Sequence, residues 1–448
     1  MREERRFALR KEYFGGLLID YKYKKFYILD SKQFRLLKDL SEKKIKKANV
    51  DDQKFVKEME DIDLFQVINK NTIQLNSQYS NKIRIIKTKK IPLDYLSAPL
   101  KVYHTYTRKC NLSCKHCYAF SSPLIKERKL TLTQLEKIVK KFYNVGVIEW
   151  NFTGGEPTVE KNFLSAVKII KKYKMKISLN TNGCLNEALL DSLVKGGVEE
   201  FIISIDGNRK AVEERRGKGV FENVINTLEY LSYIREIYPI RVILNMAVGR
   251  DNIKTVGFVA KLGAKYKFDV KYVPIKPIGR YSANLMLNKE EYMRFANLIN
   301  QLRNNEKIKR SGIMLILNHK DLFNESLRDR SNLPYPFNFS QCTALTTAID
   351  ILPDGRVVPC SFLMNFSEYF GPNILYTSVE KAWMHPKMNL FRKSYMEKCE
   401  KCIFYKKRCR GVCRSTILLN DGKINKNGKI IGDDPYCFVD IMRNLKAN

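Results

Sequence analysis

The sequence has no apolar run long enough to cross a membrane, which takes about 20 predominantly apolar residues in a helix. Its apolar stretches are short, as at residues 313–317. The first residues, MREERRFALRKEYF, carry positive charge, but they contain no apolar core and no small-residue cleavage site follows them. We therefore expect neither a membrane anchor nor a secretory signal, and we interpret the chain as cytoplasmic.

Acidic residues are scarce relative to basic ones, with 47 Asp and Glu against 81 Lys and Arg and a formal net charge of +34. Such a charge is typical of phosphate-binding surfaces. The lysines are nevertheless spread along the chain in ones and twos, as at Lys140 and Lys141. We interpret the charge as a solvated lysine-rich surface, with nucleic-acid binding as the alternative. An acidic peptide would also suit this surface.

Internal repeats and low-complexity tracts are absent, and 448 residues exceed one ordinary hydrophobic core. Residues 1–90 predict a hairpin at 15–30, a helix that follows the capping box of Asp30 and Gln33, a second helix at 51–65 and a strand at 72–75. This pattern is typical of a small winged-helix module.

Strand and helix patterns alternate from about residue 100 to residue 318. Strands are expected near 147–152, 176–180, 200–205, 241–248, 270–275 and 313–317, and one more before Cys110. Repeated βα units predict a parallel sheet that forms a partial or complete barrel. The active sites of such folds lie at the carboxyl ends of the strands, where we also expect the first cysteines.

Eleven cysteines in a chain without a secretory signal favour metal or redox chemistry over a disulfide framework. The first three, Cys110, Cys114 and Cys117, share one short loop with no fourth cysteine nearby. Three thiolates can hold three irons of a cubane cluster and leave the fourth iron open. The alternative is a zinc site completed by His116 or His104.

The spacing C-x3-C-x2-C followed by Tyr118 resembles the radical S-adenosylmethionine superfamily. The resemblance implies a 4Fe-4S cluster whose open iron chelates the amino and carboxylate groups of S-adenosylmethionine. Gly154, Gly155 and Glu156, in the sequence TGGEP, match the element that holds the methionyl amine in that family. Glycine suits that position because the ligand must approach the backbone closely.

Two further motifs resemble the peptide- and protein-modifying branch of this superfamily. They are NTNG at residues 180–183, and SIDG at residues 204–207 followed by RG at 216–217. By that resemblance Asn180, Ser204 and Arg216 contact the ribose or carboxylate of S-adenosylmethionine. The sequence departs from the family at positions 212 and 213, where Val-Glu replaces a common His-Asp pair. Cys184 is interpreted as a small buried hydrophobe. No residue stands out as the catalytic acid or base.

The C-terminal cysteines resemble the SPASM domain, which carries auxiliary clusters in radical peptide maturases, with x6 where the family usually has x5. Zinc ribbons are the alternative. The resemblance implies two auxiliary clusters of the 4Fe-4S type. Its outer-cluster ligands would be Cys399, Cys402, Cys409 and Cys437, and its inner-cluster ligands Cys342, Cys360 and Cys413.

The inner set lacks a fourth cysteine, and residues 185–341 contain none. An open iron there would bind a substrate thiolate, water or another side chain, or the cluster would pass electrons without touching substrate. All three readings stay open from the sequence.

The N-terminal module resembles the RiPP recognition element (PqqD-like), which binds a precursor's leader peptide as an added strand. A DNA-binding winged helix is the alternative, favoured by Arg2, Arg5, Arg6 and Arg10. The expected fold is therefore α/β: a partial (β/α)6 TIM-type barrel over 91–325, a winged-helix domain over 1–90 and an iron-sulfur SPASM domain over 326–448.

These resemblances predict a maturase of a ribosomally made peptide, in which a 5'-deoxyadenosyl radical abstracts hydrogen and a thioether closes from a peptide cysteine. A flavodoxin or ferredoxin is the expected electron donor, and neither a membrane nor a nucleic acid is an expected partner. The enzymatic alternatives are a carbon-carbon or carbon-oxygen crosslinking maturase and a sulfatase-maturase-like protein oxidase. The alternative from another class is a non-catalytic zinc-binding nucleic-acid protein.

Overall fold

The computed structural model describes residues 5–69, 71–79, 82–280, 282–317, 334, 337, 342–402, 411 and 413–437. Over these residues, no helix combines the length and the apolar character that a membrane span requires.

The N-terminal module consists of two small sheets and two helices. In chain order its elements are β1 (Phe7–Glu12), β2 (Gly15–Asp20), β3 (Lys25–Leu29), α1 (Ser31–Ser41), β4 (Lys47–Asn49), α2 (Gln53–Asp61), β5 (Phe65–Asn69), β6 (Thr72–Leu75) and β7 (Arg84–Ile86). The strand orders are β3-β2-β1-β7 and β4-β6-β5. The predicted hairpin is confirmed as β2 and β3, and the predicted capping box of Asp30 and Gln33 starts α1.

The strand β1 was not predicted, because three of its six residues are charged. Arg10 and Glu12 are both buried and form an ion pair of 2.7 Å between Nε and Oε1. Arg10 also donates to the carbonyls of Pro99 and Val145, and Glu12 accepts from the backbone N–H of Ser97. These contacts join the N-terminal sheet to the segments on either side of the first barrel strand.

A nine-stranded sheet forms the centre of the described structure, in the order β14-β13-β12-β11-β10-β9-β8-β15-β16. Its first seven strands in chain order are β8 (Lys101–Thr107), β9 (Glu149–Gly154), β10 (Lys176–Thr181), β11 (Glu200–Ser204), β12 (Arg241–Val248), β13 (Asp269–Pro274) and β14 (Leu315–Leu317). All seven are parallel. Six βα units followed by a seventh parallel strand confirm the predicted partial barrel.

The helices between these strands cover the outer face of the sheet. They are α3 (Leu132–Asn144), α4 (Phe163–Lys172), α5 (Glu187–Gly196), α6 (Arg209–Arg216), α7 (Val220–Ile234), α8 (Val256–Tyr266), α9 (Ser282–Leu285), α10 (Lys289–Asn304) and α11 (Glu306–Ser311). The helix α3 begins with a capping box of Thr131 and Gln134.

The C-terminal segment contributes two strands to the central sheet and otherwise consists of short elements. These are β15 (Ala348–Ile351), β16 (Val357–Val358), α12 (Val379–Trp383), α13 (Pro386–Lys393), α14 (Glu397–Glu400), α15 (Arg414–Leu418), β17 (Lys423–Ile424) and β18 (Ile430–Ile431). A turn at Asp354 and Gly355 joins β15 to β16, which are antiparallel. Strand β15 lies parallel to β8.

Alternation along β8 separates the two faces of the barrel sheet. Val102 and His104 are buried with the helix-facing core, where Trp150 and Phe152 of β9 also pack. Tyr103 therefore faces the concave interior, since successive strand residues point to opposite faces. The loops at the carboxyl ends of the strands rise from the rim of that interior.

Candidate radical and iron-sulfur site

Cys110, Cys114 and Cys117 lie in the loop between β8 and α3, at the carboxyl end of the first barrel strand. Backbone N–H groups point at two of the sulfurs, from Leu112 to Cys110 at 3.3 Å and from Ser121 to Cys117 at 3.4 Å. Such donors stabilise negative charge on sulfur and tune the potential of a bound cluster.

Burial raises the pKa of the Cys110 thiol to about 12, against the opposing effect of its N–H donors. A buried thiolate without a neighbouring cation is unfavourable, whereas metal binding deprotonates a coordinating thiol outright. The donor set therefore fits an iron-sulfur cluster held by this loop.

Backbone contacts fix the start of this loop to the turn after β9. The N–H of Gly155 donates to the carbonyl of Thr107 at 2.7 Å, and that of Glu156 donates to the carbonyl of Lys109 at 2.9 Å. A Cβ on Gly155 would lie 2.2 Å from the Lys109 carbonyl oxygen, and one on Gly154 would lie 2.1 Å from that of Thr107. The close approach that requires glycine here is made by the chain's own cysteine loop.

The Glu156 side chain links the same turn to the end of β10. Its carboxylate accepts from the Thr158 hydroxyl at 2.7 Å, the Thr181 hydroxyl at 2.8 Å and the Asn182 backbone N–H at 2.7 Å. Burial raises the pKa of this carboxyl despite these donors. A cationic amine beside it would offset that penalty, which fits the predicted amine of S-adenosylmethionine.

Asp206 joins the end of β11 to the cysteine loop. Its buried carboxylate accepts from Nε of Arg216 at 2.7 Å and lies 3.2 Å from Nε2 of His116, the residue before Cys117. Burial alone would raise the pKa of Asp206, but its neighbours, with Arg216 first among them, together outweigh burial and hold the pKa below its usual value. The backbone N–H of Lys115 also donates to the Arg215 carbonyl at 2.9 Å.

His116 is therefore part of a buried polar network with Asp206 and Arg216. Burial lowers its pKa to about 4, so the ring is neutral at pH 7. Arg216 binds Asp206 through Nε, and its charge also favours the thiolate form of Cys114.

Asn180 and Ser204 occupy the ends of adjacent strands, as the sequence indicated. The Asn180 amide donates to Oδ1 of Asn151 on β9 and to the Phe152 carbonyl at 3.3 Å. Ser204 is the last residue of β11 and pairs in register with Asn245 of β12. Their contacts with S-adenosylmethionine stay predictions.

The zinc alternative with His104 is wrong. His104 packs on the helix-facing side of β8 between the rings of Tyr106, Trp150 and Phe152, away from the concave side. Within the residues the structure describes, no three His, Cys, Asp or Glu side chains converge as one metal ion would require. A cubane cluster needs no such convergence, because each thiolate binds a different iron.

The three cysteines predicted as inner-cluster ligands, Cys342, Cys360 and Cys413, all interact with the charge of Lys276, which lies just after the barrel strand β13. Cys360 follows β16, Cys413 precedes α15 and Cys342 precedes β15. The described cysteines form no disulfide. Cys399 is buried beside Met396, and Cys402 and Cys437 are half-buried. Cys409 lies outside the described residues.

Tyr118 connects the first cysteine loop to the inner group. Its ring lies 4.7 Å from that of Phe362, two residues after Cys360. The carbonyl of Tyr118 accepts from the Asn365 side chain at 3.0 Å. The two sets of cysteines therefore share one side of the barrel.

Two basic residues after β13 were missed from the sequence. Nη1 of Arg280 donates to the Cys114 carbonyl at 2.7 Å, and its Nη2 donates to the Ser121 carbonyl. Nζ of Lys276 lies 2.7 Å from Sγ of Cys413. The sequence did offer one signal for them. Both residues follow a predicted parallel strand, at the edge of the sheet where such folds place their active sites.

Two protein families match the chain over the segments that carry these loops. Residues 105–256 match the Radical SAM superfamily, and residues 342–403 match SPASM, an iron-sulfur cluster-binding domain. The chain carries a radical S-adenosylmethionine domain followed by a SPASM domain. Its cofactors are S-adenosylmethionine, the radical 4Fe-4S cluster and SPASM auxiliary iron-sulfur clusters.

Curated relatives of this radical enzyme match over part of its length. The probable GTP 3',8-cyclase of Pyrococcus horikoshii is 34% identical over 143 residues, which is 32% of this chain and 44% of the relative. The mycofactocin maturase MftC of Mycolicibacterium smegmatis is 29% identical over 187 residues, 41% of this chain and 47% of the relative. The chain thus spans less than half the length of each of these relatives.

A solved structure matches the radical enzyme almost throughout. Streptococcus suis SuiB bound to precursor peptide SuiA has a TM-score of 0.68 and 15% identity, and the match covers 96% of this chain and 98% of SuiB. The fold is therefore shared along nearly the whole chain, including the N-terminal module.

Proposed function

We propose that this radical SAM enzyme modifies a ribosomally made precursor peptide and closes a thioether between a peptide cysteine and a neighbouring residue. The observation that carries the proposal is the position of the inner cysteines. The contact of Tyr118 with Phe362, two residues after Cys360, supports a position of this group beside the first cysteine loop, where the radical would arise. A peptide thiol and the reacting carbon would then lie in one cavity.

The N-terminal module, residues 1–90, is proposed as the leader-binding domain. Within the described part of the chain β3 pairs only with β2, so its outer edge is open for another strand. An exposed edge recruits an extended peptide through backbone hydrogen bonds. SuiB, which shares the fold over this module, was solved with its precursor peptide.

Two of the arginines that favoured DNA binding are unsuited to phosphate contacts. Arg10 is fully buried against Glu12, and Arg6 pairs with Asp20 at 2.8 Å. The other two are Arg2, outside the described residues, and Arg5, which donates to the Ile83 carbonyl. These contacts support a peptide partner over a nucleic acid.

The remaining domains are proposed as a radical barrel over 91–325 and a SPASM domain over 326–448 with two auxiliary clusters. The first loop would hold the radical cluster through Cys110, Cys114 and Cys117. Inner ligands would be Cys342, Cys360 and Cys413, and outer ligands Cys399, Cys402, Cys409 and Cys437. Bound together, the radical cluster and S-adenosylmethionine supply one-electron chemistry that generates a carbon-centred radical.

The chain's own residues orient and insulate that chemistry. Glu156 would face the amine of S-adenosylmethionine, with Gly154 and Gly155 supporting the turn. Asn180, Ser204 and Arg216 would contact its ribose or carboxylate. The buried contact with Asp206 holds Arg216 in place beside the cysteine loop.

The test is mass spectrometry of a precursor peptide, encoded beside the gene, after co-expression with the enzyme. We expect a loss of two hydrogens with the wild-type enzyme and none with the Cys110→Ala, Cys114→Ala, Cys117→Ala variant. A precursor with every core cysteine changed to serine should stay unmodified. Loss of two hydrogens from that precursor would refute the thioether and favour a carbon-carbon or carbon-oxygen crosslink.

A further inference from the structure

Lys276 places a buried ammonium at the inner cysteines. Nζ lies 2.7 Å from Sγ of Cys413 and 2.7 Å from the Thr416 hydroxyl, and 4.9 Å from the centre of the Phe362 ring. The residue is 8% exposed. Its charge also interacts with Cys360 and Cys342, so it lies among all three proposed inner ligands.

The barrel, not the C-terminal segment, supplies this lysine. It follows β13 directly, and the Tyr436 hydroxyl donates to the neighbouring Ile275 carbonyl at 3.1 Å. On the other side, the Cys413 backbone N–H donates to Asp434 at 3.1 Å. Lys276 and Cys413 are therefore each fixed by independent contacts.

Burying an ammonium is costly unless an opposite charge balances it. The groups in contact with Nζ are a sulfur, a hydroxyl and an aromatic face, and the carboxylate of Asp434 also interacts with its charge. A thiolate at Cys413 supplies opposite charge in direct contact, and a cysteine that binds iron is a thiolate.

We propose that Lys276 is a positioning residue that donates a hydrogen bond to the Cys413 thiolate and raises the reduction potential of the inner auxiliary cluster. Hydrogen bonds to ligand sulfur and nearby positive charge both favour the reduced, more negative state of a cluster. Lys276 thus biases the inner cluster toward taking up an electron. The proposal rests on the inner ligand assignment given under the proposed function.

The experiment uses full-length, anaerobically reconstituted protein in a Cys110→Ala, Cys114→Ala, Cys117→Ala background, so that only auxiliary clusters contribute. Lys276→Met removes the charge and donor at similar length, and Lys276→Arg keeps both. Lys261→Met, on the exposed face of α8, is the control for general loss of one positive charge. Iron content and midpoint potentials from an EPR-monitored redox titration are measured for each protein.

We expect Lys276→Met to keep its iron and to lower the reduction equilibrium constant of one cluster at least tenfold, which is about 59 mV for one electron. The midpoint potential of the other cluster should stay at the parent value in this variant. In Lys276→Arg and Lys261→Met, both potentials should match those of the parent protein. An unchanged potential in Lys276→Met, or loss of one cluster's iron from it, would overturn the role in tuning. A parent protein with about four irons instead of about eight would instead overturn the inner ligand assignment.

Discussion

The buried carboxylate of Asp206 gives a sharp test of how the cysteine loop is held. Asp206→Asn keeps the size of the side chain and removes its charge, which leaves the Arg216 guanidinium, 8% exposed, without a counter-charge. Removing one partner of a buried ion pair costs about 3–5 kcal/mol. We expect a loss of that size in the free energy of unfolding at pH 7.

The matched control lies on the same helix as Arg216. Glu214 of α6 pairs with Lys210 at 4.0 Å, with side chains 61% and 84% exposed. Exposed pairs at this spacing contribute only about 0.3–0.5 kcal/mol, so Glu214→Gln should resemble the wild type. Urea titrations of the iron-free protein, followed by circular dichroism, measure both variants.

A double variant separates the pair from the rest of the network. Replacing both partners of a buried pair with uncharged groups is often neutral, so Asp206→Asn with Arg216→Met should recover more than half of the loss. A difference of about 1 kcal/mol is the smallest that stands well above the error of additivity. If the free energies of unfolding of Asp206→Asn and Glu214→Gln differ by less than that, the network does not hold the loop.

The pH dependence of Asp206 follows from its lowered pKa. Its stabilisation is fully present above the pKa of an unfolded aspartate, about 3.9, and is lost as the pH falls through the folded value. The difference in free energy of unfolding between the wild type and Asp206→Asn should therefore be constant from pH 5 to pH 8 and should decrease at lower pH. A difference that grew in acid would contradict the direction of the shift.

Two further predictions concern the strands around the loop. Burial lowers the pKa of His104 to about 3, so the wild type should lose about 2 kcal/mol of unfolding free energy between pH 8 and pH 5, and His104→Phe should not. Equal losses in urea titrations of the two proteins would refute the buried neutral ring. Gly155→Ala should displace the cysteine loop and lower bound iron by about four atoms per chain. The control Gly257→Ala, in α8 with open space around it, should keep its iron and gain up to about 1 kcal/mol in unfolding free energy. Equal iron contents in the two variants would show that the loop tolerates the methyl group.

Local signals predicted the barrel well, because its strands and helices alternate with clear periodicity. The C-x3-C-x2-C loop and TGGEP also lie where their motifs indicated, at the ends of adjacent strands. The strand β1 escaped prediction because Arg10 and Glu12 are buried as a pair, which charge patterns along one segment do not reveal.

The polar network around the loop was missed for a related reason. His116, Asp206 and Arg216 come from three separate segments, and only the folded chain brings them together. Lys276 and Arg280 looked like two more lysine- and arginine-rich surface positions in a basic protein. Their burial depends on long-range packing that sequence spacing does not encode.

The pairing of β15 with β8 has a consequence for engineering this protein. The segment after residue 342 supplies a strand to the first barrel strand, through pairs that include Ala348 with Lys101 and Ile351 with His104. A protein truncated before that segment would lack the strand on one side of β8 and would expose an edge prone to aggregation. Swapping the auxiliary-cluster module between enzymes as an independent cassette should therefore fail unless β15 and β16 stay with the recipient barrel.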